Sequence, residues 1–271
     1  MTVFFAAVLA HFLSDFVLQS HRLAARKRQR ELWAHLAHGG VVTGMVIALA
    51  LVASGRWLIL LAVSAGLAHV VQDWAKAGLR ARWPTGPDWL WLVADQILHL
   101  VVLAALFTSF GLLAPGSLVP AWLGAVPGPI PYEVAILVVL GTWVAGFLLE
   151  ASLKPLLPRM PRVIVPPAGQ ERNLAATRAA AASDLDVAES ESFTRTSFWI
   201  GAAERVIVIA AVAVSGAQGL TTAGLVVAAK SVFRWREIDR DPHAAQYFLL
   251  GTLLSIAVAV LDGLLIRHVM G

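Results

Sequence analysis

Four short stretches of an otherwise apolar chain carry groups that can ligate a metal or move a proton: HFLSD (11–15), HLAH (35–38), HVVQD (69–73) and DQILH (95–99). His11 and Asp15, His69 and Asp73, and Asp95 and His99 stand four apart, while His35 and His38 stand three apart. On a helix each pair then shares one face, one turn apart, as a two-residue claw. Neutral imidazoles combined with carboxylates suit zinc, manganese, iron or nickel, whereas an all-oxygen set would suit magnesium or calcium. Zinc or manganese is the expectation. Eight groups exceed what one tetrahedral ion needs. They fit two ions, or one ion with outer carboxylates that orient the imidazoles and with Asp15, Asp73 or Asp95 left as the acid/base catalyst. For any single pair an interhelical hydrogen bond is the simpler account. Four pairs on four helices turn the balance toward a metal- or proton-handling site.

The elements that must position these groups are transmembrane helices. The chain is 58% hydrophobic and 14% charged, with a mean hydropathy of +0.74, outside the range of a soluble domain with a polar exterior. An all-α, polytopic helical bundle is therefore expected. A span takes about 20 residues, and eight apolar runs qualify: 2–20, 33–54, 57–79, 89–113, 131–153, 198–216, 219–235 and 244–266. Residues 219–235 are the weakest of them and could form a tilted or re-entrant segment. The first run lacks a basic leader and contains His11 and Asp15, so it reads as a retained helix, not a signal peptide. Cysteine is absent, which excludes disulfides, thiolate ligands and thiol redox chemistry.

The net charge of +4 resides in clusters between apolar runs: HRLAARKRQR (21–30), KAGLRARW (76–83), the 154–197 connection and RWREIDR (234–240). Topology accounts for these better than a nucleic-acid partner does. With eight spans all four clusters fall on one side, the cytoplasmic one by the positive-inside rule, and both termini face out. All eight ionisable groups then lie in the cytoplasmic half at overlapping depth, as expected if they share a pocket. Ionisable groups within a span cost about 2.5–3.5 kcal/mol each for Asp, Lys or Arg at a helix centre, so they turn to partners or a wet cavity.

Three divisions follow. Residues 1–113 form a four-helix half bearing the His/Asp pairs, 114–130 an outer Gly/Pro loop, and 131–271 a second helical half that includes the 154–197 connection. That connection reads as a linker, with a regulatory helix over its Ala-rich part as the alternative. Glu204 and Arg205 in span six, with Lys230 and Arg234 (and Glu237) at the end of span seven, form a second polar group. It is either a cationic pocket for an anionic substrate or a set of snorkelling residues and structural ion pairs. His21, His243 and His268 lie in loops or at the end of the chain and Glu150 at an interface, all without assigned roles. Asp262 is a candidate for a bond to a neighbouring helix.

The order AHFLSDFVLQ, AHLAH, AHVVQDWAK and ADQILH, followed by ERVIVIAAVAVSGAQGLTTAGLVVAAKSVFRWREI and AQYFLLGTLLS, resembles the bacterial membrane proteins of domain-of-unknown-function family 3307. More remotely, the His/Asp pattern is similar to that of membrane-bound metal-dependent hydrolases. That similarity implies a hydrolase of a membrane substrate and is an analogy of fold. The expectation is an integral protein of the bacterial inner membrane that hydrolyses a lipid or membrane-associated phosphoester or ester from the cytoplasmic side, with membrane lipids as its surroundings. An ion- or proton-coupled transporter using the same groups is the alternative, and a non-enzymatic scaffold the third. No oligomeric state is indicated.

Overall fold

The computed structural model describes residues 1–114, 132–153, 198–240 and 242–270, and their side chains apart from 233–240, 242–245 and 247. Residues 115–131 and 154–197, which hold nearly all of the Gly/Pro loop and the long connection, lie outside the described residues. The described elements are helices: α1 (Thr2–Leu18), α2 (His21–Arg28), α3 (Leu32–Ser54), α4 (Ile59–Arg82), α5 (Asp88–Ser109), α6 (Tyr132–Leu153), α7 (198–215), α8 (Gly219–Arg240) and α9 (Pro242–Met270). Each of the eight expected runs has a helical counterpart. α2 is an addition, since the sequence marked its residues only as a basic cluster.

Among the described residues five helical stretches are long and apolar enough to cross a membrane: Leu32–Ser54, Asp88–Ser109, Tyr132–Leu153, Phe198–Val232 and Phe248–Met270. A sixth is added if α1 and α2, which meet at 95°, count as one broken span. α4 falls short because His69, Gln72, Asp73 and Lys76 interrupt its apolar run. Phe198–Val232 is long for one crossing, and it folds back on itself. Gly216 adopts φ +59°, and a Cβ on Gly219 would lie 2.5 Å from Ala211 O. Lys230 returns to within 2.6 Å of Glu204. α7 and α8 are thus antiparallel legs of a hairpin.

α1 is the central helix. Every residue from Phe4 to Phe12 is buried, as a helix apolar on all sides requires. Its neighbours include α3, α5 and α6, and one apolar cluster joins Phe5 and Val8 of α1 to Val46, Phe107 and Ile136. A second cluster joins Leu137 of α6 to Val208, Val212 and Ala259. Adjacent residues of α6 therefore face the two halves of the bundle.

α3 and α4 cross at a glycine contact. A Cβ on Gly66 would lie 2.0 Å from Thr43 Oγ1 and 2.7 Å from Gly39 O, so the backbones approach as only small residues allow. One turn or less from this contact stand His38 and His69. Gly66→Leu should wedge the helices apart and cost about 1–3 kcal/mol, read as a lower thermal midpoint of the detergent-solubilised protein by tryptophan fluorescence. Gly44→Leu, where a Cβ meets nothing within 4 Å, should leave the midpoint unchanged. Equal midpoints for the two variants would refute the close crossing.

Candidate functional site

The claws of α1, α3, α4 and α5 converge on one buried cluster. At its centre Asp15 of α1 accepts a hydrogen bond from His38 Nε2 of α3 at 2.9 Å and stands 3.3 Å from His69 Nε2 of α4. Gln96 of α5 donates to Asp15 Oδ2 and to Asp95 Oδ2, both at 3.3 Å, while its Oε1 lies 3.0 Å from His11 Nε2. Because both carboxylates only accept, the amide of Gln96 can point one way, and His11 Nε2 must carry the proton. The rings of His11, His69 and His99 pack with centroids 4.3–5.4 Å apart, and His38 sits 4.9 Å from His69.

Local helix geometry explains this aim. α1 ends in a π-helical turn over Leu13–Leu18, a widened turn of a kind that recurs at functional sites, and Asp15 lies within it. His99 is fixed by its own helix, because Nδ1 donates to Asp95 O at 2.8 Å. Its Nε2 is left with a lone pair that is buried and has no hydrogen-bond partner. A backbone carbonyl holding one ring nitrogen while the other faces a polar cluster is the usual support of a metal-ligating histidine.

Two lysines complete the cluster. Lys27 reaches in from α2 to Asp73 Oδ2. Lys76 binds Asp95 Oδ2 at 2.7 Å and lies 3.4 Å from Asp73 Oδ1. Asp73 also lies 3.5 Å from His69 Nε2. α2 is started by the Ser20 cap to Leu23 N (3.2 Å), and Arg30, just beyond it, is stacked 4.9 Å from the Trp74 ring of α4. The turn into α3 is fastened by Arg26 on Glu31, a hydrogen bond that keeps the Glu31 carboxyl below the usual carboxylate range, with help from Trp33.

Among the described residues three sets of side chains place one ligand atom each within 4.8 Å of one another: His11–Asp15–His69, His38–His69–Asp73 and Asp73–Asp95–His99. Donors of a tetrahedral ion at about 2.1 Å stand about 3.4 Å apart, so a set would close by roughly an ångström to hold one. The first and third share no residue. A cavity of about 20 Å³, room for one water, adjoins them, with His11, His69, Gln72 and His99 among its lining and Val46, Leu103 and Leu106 as part of its apolar wall.

His35 belongs to none of the three sets. Its Nε2 donates to Lys27 O at 3.2 Å and its ring meets Trp74 edge-on, so it serves the docking of α2. The second polar group lies across α6. Arg205 is buried and gives Nε and Nη2 to Thr142 O (3.0 and 2.6 Å) and Nη1 to Ser255 Oγ (3.1 Å). Thr142 lies in a second π-turn, Leu140–Val144. Glu204 pairs with Lys230 and not with Arg205. Asp262 packs against Gly141 of α6, where a Cβ would come within 2.3 Å of its Oδ2. The Arg234 side chain is outside the described set. Residues 3–119 match the family described as "Protein of unknown function (DUF3307)". The later stretches that carried the resemblance lie beyond the matched residues. No curated protein and no solved structure matches the chain.

Gln96 ties three of the site's groups together, though as a neutral side chain it drew no notice in the sequence. Gln96→Leu should leave buried polar atoms of His11 and Asp15 without a partner, at about 1–3 kcal/mol for each, and lower the thermal midpoint of the purified protein. Ile97→Leu, on the exposed side of α5, is the control and should not. A Gln96→Leu midpoint equal to the control would show that these bonds are dispensable.

Proposed function

We propose that this chain is an integral membrane metal-dependent hydrolase whose site opens to the cytoplasmic side of the bacterial inner membrane. The observation that carries this reading is the meeting of His11, Asp15, His38, His69, Asp73, Asp95 and His99 from four helices in one buried cluster. Imidazoles and carboxylates would hold one or two zinc or manganese ions. A bound ion of this kind lowers the pKa of water and polarises a phosphoryl or acyl oxygen. The chain's own part is to fix the imidazoles through Asp95 O and Gln96, exclude bulk water with the apolar packing of α1, and take or return a proton at Asp15, Asp73 or Asp95. The substrate class is a lipid phosphoester or ester, reached from the surrounding bilayer.

The arrangement of charge supports an eight-span topology with both termini outside. Lys27, Arg28, Arg30, Lys76, Arg80 and Arg82 lie at the α2 end of the bundle, and the opposite end keeps Arg56 and Arg267. Arg267 caps α7 at Val214 O (3.0 Å). Toward that end Phe4, Phe5, Val46, Leu61 and Phe107 pack into a continuous apolar layer. The layer favours a one-sided site over a path through the membrane.

Two measurements test this. Metal content per chain should be stoichiometric in wild type, and the affinity should drop about 100-fold or more in His69→Ala and Asp95→Ala, beyond the 10–100-fold typical of outer positions. Lipid hydrolysis, not ion flux, should follow the metal in proteoliposomes. Folded protein that takes up no zinc or manganese ends the hydrolase reading. For topology the chain has no cysteine of its own, so single-cysteine variants report cleanly. An impermeant maleimide should label Arg56→Cys and Met270→Cys from outside and Arg28→Cys only after permeabilisation. Labelling of Arg28→Cys from outside would invert the assignment.

A further inference from the structure

We propose that Lys27 and Lys76 are the anion-binding half of the site, and that the group they receive is the phosphoryl group of a phosphate ester. The proposal rests on the metal-site reading above and names its substrate class.

Position comes first. Lys76 stands one turn beyond Asp73 on α4, and its ammonium bridges Asp73 and Asp95, two members of the Asp73–Asp95–His99 set. Its side chain is 36% exposed, while that of Lys27 is 12% exposed. Lys76 therefore sits at the mouth and Lys27 roofs the site from the cross-lying α2. Other cations of this end are turned elsewhere: Arg26 to Glu31, Arg30 to Trp74, Arg80 to Asp88 and Lys230 to Glu204. Lys27 and Lys76 are the two that enter the cluster.

Charge comes second. Taking the imidazoles as neutral, Asp15, Asp73 and Asp95 against Lys27 and Lys76 leave one net negative charge. A divalent cation at the same carboxylates makes the site net positive and weakens the hold of the carboxylates on both ammonium groups. Two cations beside a dication are the charge partners of a phosphate ester. A neutral amide or carboxylic ester has no use for them. The four-carbon lysine stem lets each ammonium move from carboxylate to phosphoryl oxygen without moving its helix, and lysine serves as a point-charge phosphate binder elsewhere. A purely structural ion pair would explain Lys27 alone. It would not explain why Lys76, its side chain 36% exposed, divides one ammonium between two carboxylates.

The test uses the full chain in neutral detergent, with bound Mn²⁺ counted per chain and used to broaden the ³¹P signal of added inorganic phosphate. Expected for Lys27→Met and Lys76→Met is a phosphate affinity reduced about tenfold each, with Mn²⁺ still bound and Lys76→Arg near wild type. Lys76→Gln, which keeps a donor to Asp95, replaces Lys76→Met if that variant does not fold by circular dichroism. Unchanged phosphate affinity in the charge-removing variants with Mn²⁺ retained overturns the lysine assignment alone. Lysine-dependent phosphate binding without any Mn²⁺ uptake, read by equilibrium dialysis with radiolabelled phosphate, supports the lysines and sinks the metal reading, and absence of both sinks both. A parallel arm replaces phosphate with micelles doped with phosphatidic acid or phosphatidylcholine. Lysine-dependent broadening in the phosphatidic acid micelles assigns a lipid headgroup, and broadening with free phosphate alone assigns a soluble ester; either supports the proposal.

Discussion

Three carboxylates lie among apolar helices, and the packing of the N-terminal half follows from the need to partner them. An ionised carboxylate withdrawn from water loses several kcal/mol of hydration, which returns only through close, well-aligned charges and hydrogen bonds. Asp15 finds His38, His69 and Gln96; Asp73 finds Lys27 and His69; Asp95 finds Lys76 and Gln96. The partners come from four separate helices, α2, α3, α4 and α5. Satisfying the carboxylates therefore dictates which helices are neighbours, and explains why α2 turns across the end of the bundle after a 95° bend. A basic helix that only needed water would have no reason to send Lys27 inward.

The second constraint is close approach. Gly39 and Gly66 let α3 and α4 touch backbone to backbone, which sets His38 and His69 with ring centroids 4.9 Å apart. Helix geometry then yields where side chains alone could not reach. The π-turn at Leu13–Leu18 contains Asp15, and the π-turn at Leu140–Val144 presents Thr142 O to Arg205. Phe16 and Phe147, one near each widened turn, pack 5.7 Å apart. The two halves of the bundle thus meet where both helices depart from regular winding. On the far side Arg205 is spent on holding that departure in place, and Glu204 on Lys230.

Much of this could be read from residue spacing. Pairs at i and i+3 or i+4 announced four claws, and apolar runs announced eight helices. What could not be read has a common cause. Lys27 belongs to a basic cluster whose members look alike in sequence, and only the bend after Leu18 separates the inward lysine from its outward neighbours. Gln96 is neutral, and its value lies in bridging groups 81 and 85 residues away. π-turns have no residue signature as plain as proline or glycine. His35 shows the converse, since a histidine at helical spacing from His38 turns instead to Lys27 O.

The placement of polarity across the bundle carries a final consequence for access. On one side of the cluster the aromatic and aliphatic side chains of Phe4, Phe5, Leu61 and Phe107 are buried in one apolar cluster, which leaves little route for water or a charged group. On the other side the last barrier is a pair of lysine side chains and an eight-residue helix in which no residue is buried. A buried charge network is stable only if few of its members exchange with solvent, yet a site must exchange with something. Here both requirements meet at the same atoms. The ammonium of Lys76 neutralises the interior carboxylates at the end of the most exposed side chain of the cluster, so whatever reaches the histidines from this face must first compete with Asp73 and Asp95 for it.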